Sequence, residues 1–260
     1  MKLHFYKYQG TGNDFILLDN RQQHYSDLAT AQIAFLCNRH FGIGADGLML
    51  LGTEDGWDFT MTYFNSDGAE SSMCGNGGRC ITAFAAHLGL IQQTARFKAI
   101  DGAHEAIVNE AGEIELHMQD VHTIKHFETY SLLDTGSPHY IHQIDEVKDL
   151  DVKREGALIR YSPVFKGQGV NVNFVEVQQN NTIFVRTYER GVEDETLSCG
   201  TGVTAAALNH IRQKPGQQQV NIQTLGGNLV VRCNNINGQE FKDIWLCGPA
   251  MKVFEGEINL

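Results

Sequence analysis

A cysteine-glycine turn that occurs twice is the feature that most constrains this chain. Each copy follows a β-like apolar run, carries a Cys-Gly-x-Gly motif (at Cys74 and at Cys199), and precedes a run of small residues compatible with a helix. A cysteine at that point lies at a helix start, where unpaired backbone N–H groups and the helix dipole favour a thiolate. The glycines allow a carboxylate to approach the same N–H groups closely. The sequence therefore predicts two similar anion-binding turns, each with a reactive thiol.

The order of motifs around the two cysteines indicates an internal duplication. The cysteines lie 125 residues apart (199 − 74) in a chain of 260 residues. A series of short strands and turns follows each Cys helix, and we match the segment GTGNDFILLD (10–19) with GQGVNVNFVEV (167–177). Regular βαβ alternation is absent, which disfavours a doubly wound parallel sheet. We therefore expect a mixed α/β chain in the α+β sense, with mostly antiparallel strands. We expect two pseudo-symmetric domains, each a mostly antiparallel sheet wrapped around a central helix, with the active site in the interdomain cleft.

Composition and charge narrow the class of partner. The chain has 42% hydrophobic and 20% charged residues, as ordinary globular proteins do, and a net charge of −11. That charge argues against nucleic acid or an anionic membrane as the main partner. The N-terminal segment lacks the apolar core of a signal peptide, and the longest near-apolar run, Ile81–Ile91, is too short to span a bilayer. We expect a cytoplasmic protein that acts on a small molecule.

The other cysteines and glycines are predicted to have structural roles. In a reducing compartment all six cysteines are expected as thiols, and Cys37, Cys80, Cys233 and Cys247 fall in strand or helix patterns typical of core packing. The spacing from Cys74 to Cys80 does not suit zinc. The glycines at 42, 44 and 47 follow a helix and precede a strand, which is the reverse of a dinucleotide-binding loop. No metal and no cofactor is predicted.

Two opposed thiols at helix starts can invert the configuration of a carbon atom. A small carboxylate would bind the N–H groups near Gly75-Asn76 and Gly200-Thr201, with its α-carbon between the sulfur atoms. One thiolate then removes the α-proton while the opposite thiol delivers a proton to the other face. The helix starts stabilise the charge that builds up as the carboxylate becomes enediolate-like. This scheme requires neither a metal nor pyridoxal phosphate.

Six motifs give the chain a close resemblance to the diaminopimelate epimerase family. They are GTGNDF (10–15), NRHFGIGADG (38–47), FNSDGAESSMCGNGGRC (64–80), VNVNF (170–174), YERG (188–191) and ETLSCGTG (195–202), and they cover nearly the whole chain in the family's order. The resemblance implies a cofactor-independent isomerase that interconverts LL- and meso-diaminopimelate for lysine and peptidoglycan precursor synthesis, usually as a homodimer. It also implies that the last strand returns to the first domain. We place that domain at residues 1–120 plus about 250–260, and the second at 121–249.

The resemblance also assigns roles to individual residues. It implies that Cys74 and Cys199 are the acid–base pair. Substrate-binding roles are implied for Gly75, Asn76, Gly200 and Thr201 at the reacting centre, and for Asn13, Asn65, Asn171, Glu189 and Arg190 around the amino groups and the remote carboxylate. Such a substrate needs acceptors for two ammonium groups and a forked donor for a carboxylate. His139, together with Glu189, matches positions that assist near the reacting centre.

Two stretches depart from the family's pattern. The family commonly has Gly-Asn-Pro-His where this chain has Gly-Ser-Pro-His, which makes Ser137 a candidate for contact with the remote end of the substrate through a shorter hydroxyl. The run Gly191–Glu195 is one residue longer than usual. Its residues 193–195 resemble a solvated acidic loop, and residues 145–155 resemble a charged surface segment.

Two alternative functions stay open from the sequence. A proline-racemase-like enzyme acting on another amino acid would share the fold and the thiol pair. A non-catalytic, redox-sensing protein could retain the same fold, because two thiols around one carbon position could also form a disulfide. The motifs GTGNDF and YERG favour diaminopimelate, and the presence of both cysteines with the polar ligand set argues against a non-catalytic role.

Overall fold

The computed structural model describes all residues, 1–260, and they form two compact units. Unit 1 contains Met1–Leu116 and Gly248–Leu260, and unit 2 contains His117–Cys247. Four helices and eighteen strands give the chain a mixed α+β fold, as the sequence predicts. None of the four helices combines the length and the apolar character that crossing a membrane requires.

Unit 1 has two helices and nine strands. In chain order they are β1 (Lys2–Gly10), β2 (Asn13–Asp19), α1 (Thr30–Cys37), β3 (Gly47–Gly52), β4 (Phe59–Asn65), β5 (Glu70–Ser71), α2 (Gly75–His87), β6 (Thr94–Ala99), β7 (Gly102–Val108), β8 (Ile114–His117) and β18 (Met251–Asn259). Most neighbouring strands are antiparallel, and β2–β3 and β4–β6 are the parallel pairs. The C-terminal strand β18 pairs with β1.

Helix α2 is the central helix of unit 1. It packs against β1, β2, β3, β7 and β18. Three of its first four residues, Gly75–Gly78, are glycines, and every residue from Gly75 to Thr82 is buried. The absence of large side chains there allows the helix start to lie close to the strands, because the backbone rather than a side chain forms the contact surface. Cys74, at the N-cap, is thereby held at the sheet surface.

Unit 2 also has two helices and nine strands. They are β9 (Lys125–His126), β10 (Ser131–Asp134), β11 (Pro138–Gln143), α3 (Val152–Arg160), β12 (Asn171–Val177), β13 (Thr182–Glu189), β14 (Asp194–Thr196), α4 (Gly200–His210), β15 (Gly216–Thr224), β16 (Gly227–Asn235) and β17 (Phe241–Gly248). Here the parallel pairs are β11–β12 and β13–β15. The central helix α4 packs against β10, β11, β12, β13, β15 and β16, and all but two of its residues are buried.

The predicted internal duplication is confirmed element by element. From β1 to β8 and from β10 to β17 the chain has one order of strands and helices, with the same parallel and antiparallel pairings. The edge pairings β1–β18 and β10–β9 also correspond. Because the strands of both units pair in the same order, the pairing registers define which residues of the two units are equivalent.

Those registers show that the predicted match between two motifs is wrong. The segment GTGNDFILLD ends in β2, and its equivalent in unit 2 is the β10–β11 turn followed by β11. The segment GQGVNVNFVEV ends in β12, whose equivalent is β3. The sequence comparison was misled by a Gly-x-Gly turn that precedes a strand in both places. Strand pairing, which sequence punctuation does not encode, decides the true equivalence.

The structure tests two predictions about charged segments. Most charged residues of segment 145–155 are exposed, as predicted, and its last residues begin the helix α3, which has Asp151 as its N-cap and its interior Gly156 packed against Tyr188. The acidic residues after β13 are not a solvated loop. Glu195 forms a bidentate ion pair with Arg186 at 2.6 and 2.7 Å, and both side chains are largely buried.

Candidate active site

Cys74 lies at the start of α2, as the sequence predicts. It is the N-cap residue, with extended backbone angles, and its Sγ accepts a hydrogen bond from the backbone N–H of Gly77 at 3.2 Å. A sulfur in this position faces the positive end of the helix dipole, which favours the thiolate over the thiol. The next two residues of the helix, Gly75 and Asn76, are buried beside it.

Asn76 and Asn13 are brought together across unit 1. The Asn76 Nδ2 atom donates to Oδ1 of Asn13 at 3.3 Å. The Asn13 amide in turn donates to Asp46 Oδ2 at 2.6 Å. Asn65 ends β4 and pairs with Gly47 of β3, which in turn pairs with β2, the strand that Asn13 begins. Three of the predicted polar residues therefore surround the strand ends near Cys74.

A fully buried arginine, Arg79, forms hydrogen bonds to the turn that follows Cys74. The Arg79 guanidinium donates to the carbonyl of Gly75 at 3.2 Å, to Oδ1 of Asn76 at 3.0 Å and to Oγ1 of Thr11 at 3.3 Å, and its side chain has no solvent exposure. The Asn76 amide is therefore oriented with its oxygen toward the guanidinium and its nitrogen toward Asn13. A guanidinium suits this role because it presents several donors in a fixed plane.

In unit 2, Cys199 lies at the equivalent helix start with a different sulfur partner. It is the N-cap of α4, and no side-chain capping bond to the helix backbone is formed. Its Sγ lies 3.5 Å from the hydroxyl Oγ1 of Thr201. The backbone carbonyl of Thr201 accepts a hydrogen bond from Thr135 at 2.8 Å. The predicted pair Gly200 and Thr201 thus occupies the first turn of the helix directly after the thiol.

His139 is buried behind Thr201 and neutral. Its Nε2 lies 2.9 Å from Thr201 Oγ1, and the side chain has no solvent exposure. Burial and the positive charge of Arg190 lower the pKa of His139 to about 3. The imidazole is therefore uncharged at neutral pH, which limits it to hydrogen bonding rather than charge stabilisation.

The remaining predicted residues of unit 2 cluster around Asn171. Its Oδ1 accepts from the backbone N–H of Arg190 at 2.9 Å, and its Nδ2 donates to the carbonyl of Pro138 at 3.3 Å. The Arg190 guanidinium donates to the carbonyl of Gln168 at 3.0 Å. Glu189 ends β13, where its carboxylate accepts from the Thr196 hydroxyl at 3.0 Å. A carboxylate and a guanidinium are therefore adjacent at one strand end.

Ser137 lies in the turn between β10 and β11. This turn is the equivalent of the β1–β2 turn of unit 1, because Thr135-Gly136-Ser137 repeats the pattern of Thr11-Gly12-Asn13. Both threonines are buried, and both glycines have positive φ, at 86° and 104°. Ser137 therefore occupies the position that Asn13 occupies in unit 1, at the tip of a turn beside the central helix.

Most of the predicted site residues form equivalent pairs in the duplication. The pairs are Cys74 with Cys199, Gly75 with Gly200, Asn76 with Thr201, Asn13 with Ser137, and Asn65 with Glu189. Each unit thus presents one thiol, one helix start and a set of polar strand ends in the same arrangement. The side chains at the equivalent positions differ, so the two halves offer unlike surroundings to a ligand.

The other cysteines behave as core residues, as predicted. Burial raises the pKa of Cys37 and of Cys233 to about 12, and raises that of Cys80 as well. Such thiols stay protonated and unreactive at neutral pH. All six cysteines are free, and no group of three or more His, Cys, Asp or Glu side chains is arranged to hold a metal ion.

The sequence reasoning did not identify Arg79, Asn173 or Thr187. Arg79 is in the first Cys motif, but only the folded helix shows that it is fully buried and reaches Thr11. Asn173 bonds to His139 and Thr187, and it lies two residues after Asn171 on the same face of β12. The period of two in a strand was the available signal for Asn173.

Comparison with solved structures shows that the fold is shared by a class that includes amino-acid epimerases and racemases. A PhzF-family protein of Bacillus anthracis matches with a TM-score of 0.72 at 14% identity over 100% of both chains. A hydroxyproline epimerase from Agrobacterium vitis matches with a TM-score of 0.70 at 14% identity, covering 99% of this chain and 92% of that one.

Comparison of sequences identifies the family within this class of folds. The family profile described as diaminopimelate epimerase matches residues 5–124 and 131–253, one segment for each half of the duplication. A protein of Flavobacterium psychrophilum named diaminopimelate epimerase is 50% identical, covering 99% of this chain and 100% of its own length. Another, from Chlorobaculum tepidum, is 42% identical, covering 96% of this chain and 99% of its own length. The chain belongs to the diaminopimelate epimerase family.

Proposed function

We propose that this enzyme interconverts LL- and meso-2,6-diaminopimelate without a cofactor, by proton transfer at one α-carbon between Cys74 and Cys199. The observation that carries the proposal is the pair of equivalent thiols, each at the start of a buried central helix. Full-length relatives named diaminopimelate epimerase support the substrate. A proline-racemase-like activity has less support, because the solved racemase and epimerase structures share only the fold, at 14% identity.

The reaction needs a base on one face of the α-carbon and an acid on the other. One thiolate removes the α-proton, and the opposite thiol donates its proton to the carbanion, so the configuration inverts and the two sulfur atoms exchange protonation states. The N–H groups after each cysteine, at Gly75-Asn76 and Gly200-Thr201, bind the α-carboxylate. Their positive potential stabilises the enediolate-like transition state more than the substrate, which is what lowers the barrier.

The remaining polar residues are proposed to hold the amino groups and the second carboxylate. Asn13, Asn65, Asn171 and Glu189 offer oxygen acceptors for ammonium groups, and Arg190 offers a forked donor for the remote carboxylate. Ser137 is proposed to contact the remote end of the substrate from the position equivalent to Asn13. Glu189 and His139 are proposed to assist near the reacting centre.

The enzyme is further proposed to be a cytoplasmic homodimer. A reducing compartment keeps two closely acting thiols from forming a disulfide. Support for a second subunit comes from β18, an edge strand whose Met251, Val253 and Phe254 are 58%, 56% and 46% exposed. An exposed edge strand with apolar side chains is a site where another chain can pair or pack. Light scattering of the purified chain would measure its mass directly.

The test of the reaction uses reduced protein and LL-diaminopimelate in deuterated water. With two bases, solvent deuterium enters the meso product in the first turnover, before it enters the recovered substrate. We expect Cys74→Ala and Cys199→Ala each to lower the rate at least about a hundredfold, because each removes one acid–base group. The matched controls Cys37→Ala and Cys233→Ala remove buried thiols and should keep most of the activity.

Two results would contradict the proposal. If folded, reduced wild-type protein forms no meso isomer, the substrate assignment fails. If one of the two central cysteines can be replaced without loss of rate, the two-base assignment fails even though the substrate assignment stands.

A further inference from the structure

A polar cluster, buried except at Thr201, lies behind the Cys199 thiol. It consists of His139, Asn173, Thr187 and Thr201, which come from β11, β12, β13 and α4. His139 and Asn173 have no solvent exposure, and Thr187 is 2% exposed. Hydrogen bonds connect the cluster in one series, from Thr187 through Asn173 and His139 to Thr201. Buried polar groups are costly unless they are paired, so each of these bonds constrains the next.

The orientation of the Asn173 amide is fixed by its surroundings. Its Nδ2 donates to the backbone carbonyls of Tyr140 at 3.1 Å and Asn171 at 3.4 Å, and a carbonyl can only accept. Its Oδ1 accepts from the Thr187 hydroxyl at 2.9 Å. Turning the amide over would place an oxygen against two carbonyls. Nδ2 shares its two hydrogens among these two carbonyls and His139 Nδ1, which lies 3.1 Å away. Because an amide NH2 group can only donate, Nδ1 is the acceptor.

The orientation of the Asn173 amide determines the direction in which the Thr201 hydroxyl can donate its hydrogen. A neutral imidazole that accepts at Nδ1 carries its proton on Nε2. Nε2 then donates to Thr201 Oγ1, at 2.9 Å, and the hydroxyl hydrogen of Thr201 is left to point at Cys199 Sγ, at 3.5 Å. The imidazole stays neutral because it is fully buried and the positive charge of Arg190 acts on it. The series therefore ends in a donor directed at the sulfur.

The fold itself does not require this cluster. The pairing registers of β2–β3–β4 and β11–β12–β13 show which residues are equivalent. Phe15, Met49 and Tyr63 of unit 1 occupy the positions of His139, Asn173 and Thr187 of unit 2. There the same space is filled by apolar and aromatic packing, with the rings of Phe15 and Tyr63 6.0 Å apart. One architecture is thus packed in two ways. At the positions of His139 and Asn173, which form hydrogen bonds in unit 2, unit 1 has the apolar side chains of Phe15 and Met49.

We propose that Asn173 is a positioning residue that holds His139 in its Nε2-protonated tautomer and thereby directs the Thr201 hydroxyl hydrogen onto the Cys199 sulfur. The two thiols then differ in their donors. Cys74 Sγ accepts from the backbone N–H of Gly77, whereas Cys199 Sγ accepts from a side-chain hydroxyl whose direction depends on residues in three strands. The proposal rests on the proposed function only in giving the Cys199 thiolate a catalytic use.

The first test measures the tautomer in the wild-type protein without substrate. Nitrogen-15 NMR of the histidine rings distinguishes a protonated from an unprotonated ring nitrogen, and His139→Phe identifies the signals of His139. Phenylalanine is chosen because Phe15 occupies the equivalent position in unit 1. We expect Nδ1 to be unprotonated and Nε2 protonated throughout pH 6–9. A proton on Nδ1, or a charged ring in this range, would overturn the proposal.

The second test measures the reactivity of the sulfur. Asn173→Met installs the residue of the equivalent unit 1 position, which is larger than asparagine but is accommodated by the same architecture there, and it removes the amide. In protein without substrate, we expect the rate of Cys199 alkylation by iodoacetamide at pH 7 to fall about tenfold, and its pH dependence to move up by about one unit, as expected for one lost hydrogen bond to a thiolate. Alkylation of Cys74 in the same sample is the internal control and should not change.

The outcomes separate this proposal from the proposed function. An unchanged alkylation rate and pH dependence of Cys199 in the folded Asn173→Met protein would overturn the positioning role. Both tests omit diaminopimelate, so a failure of the substrate assignment would leave them unaffected. If Asn173→Met does not fold, the tautomer measured in the wild-type protein still decides the question.

Discussion

Replacing Gly202 by alanine tests how closely the central helix of unit 2 approaches its sheet. In an ordinary helix this change is stabilising by about 0.5–1 kcal/mol, because glycine loses more backbone entropy on folding. Here a Cβ atom at Gly202 would lie 2.3 Å from Asn173 Oδ1 and 3.3 Å from Cys199 Cβ. The first distance is about 1 Å shorter than a normal contact, so Asn173 or the helix must move.

The expected cost follows from what holds Asn173 in place. Overpacking a core site typically costs about 1–3 kcal/mol. Movement of the Asn173 side chain also weakens buried hydrogen bonds, at about 1 kcal/mol each, to partners that include Thr187 and His139. Setting these against the gain in helix propensity leaves a net loss of about 2 kcal/mol. For a chain of this size that corresponds to a fall of about 4–8 °C in the melting temperature.

The duplication supplies a matched control. Gly77 occupies the equivalent position in α2, where a Cβ would meet the flexible end of Met49 at 3.5 Å and the Cys74 sulfur at 3.2 Å. We expect Gly77→Ala to change the melting temperature little, and Gly202→Ala to lower it. Adding Asn173→Ala to Gly202→Ala should make the two losses less than additive, because the smaller side chain removes the overlap.

Thermal unfolding of the four variants, followed by circular dichroism and calorimetry, measures these differences. If Gly202→Ala is as stable as Gly77→Ala, helix propensity alone governs the site and the proposed close contact with Asn173 is wrong. Strict additivity in the double variant would refute the same contact independently.

Two further predictions concern buried charges in unit 1. Burial would raise the pKa of Asp14, but hydrogen bonds and charge from Arg39 and Lys7 lower it to about 2, below the ordinary 3.8. The contribution of Asp14 to the free energy of unfolding is therefore present above about pH 4 and is lost as pH falls toward 2. Between pH 5 and pH 3, the free energy of unfolding in urea should fall by about 1 kcal/mol more for the wild type than for Asp14→Asn. The same pH dependence in both proteins would contradict this. Arg79→Lys keeps the positive charge but removes the planar donors that orient Asn76. We expect KM for diaminopimelate to rise about tenfold in steady-state assays. An unchanged KM would exclude a role of Arg79 in orienting Asn76.

The chemistry of the two turns could be predicted from local sequence. A cysteine that follows a strand and a polar turn and precedes glycines and a run of small residues indicates a helix start, and both Cys74 and Cys199 occupy the N-cap position. Short apolar runs separated by turns, without regular βαβ alternation, were sufficient to predict the α+β class. These features depend on residues close together in the chain, so their physical causes are visible in sequence.

Pairing of strands lay beyond what the sequence could determine. The turn at residues 10–13 resembles the one at 167–171, yet the registers make the first equivalent to residues 134–137 instead. A strand's neighbour is chosen by the fit of whole faces across the sheet, and a short motif carries little of that information.

The surroundings of each thiol were likewise decided by tertiary structure. The sequence predicts similar cysteines, but folding places Asn173 and His139 behind one, and Met49 and Phe15 at the equivalent positions near the other. Local sequence determined that there are two helix-capping thiols, because capping depends on adjacent residues. Only the folded sheets determined how the thiols differ, because each hydrogen-bond partner comes from a strand distant in the chain.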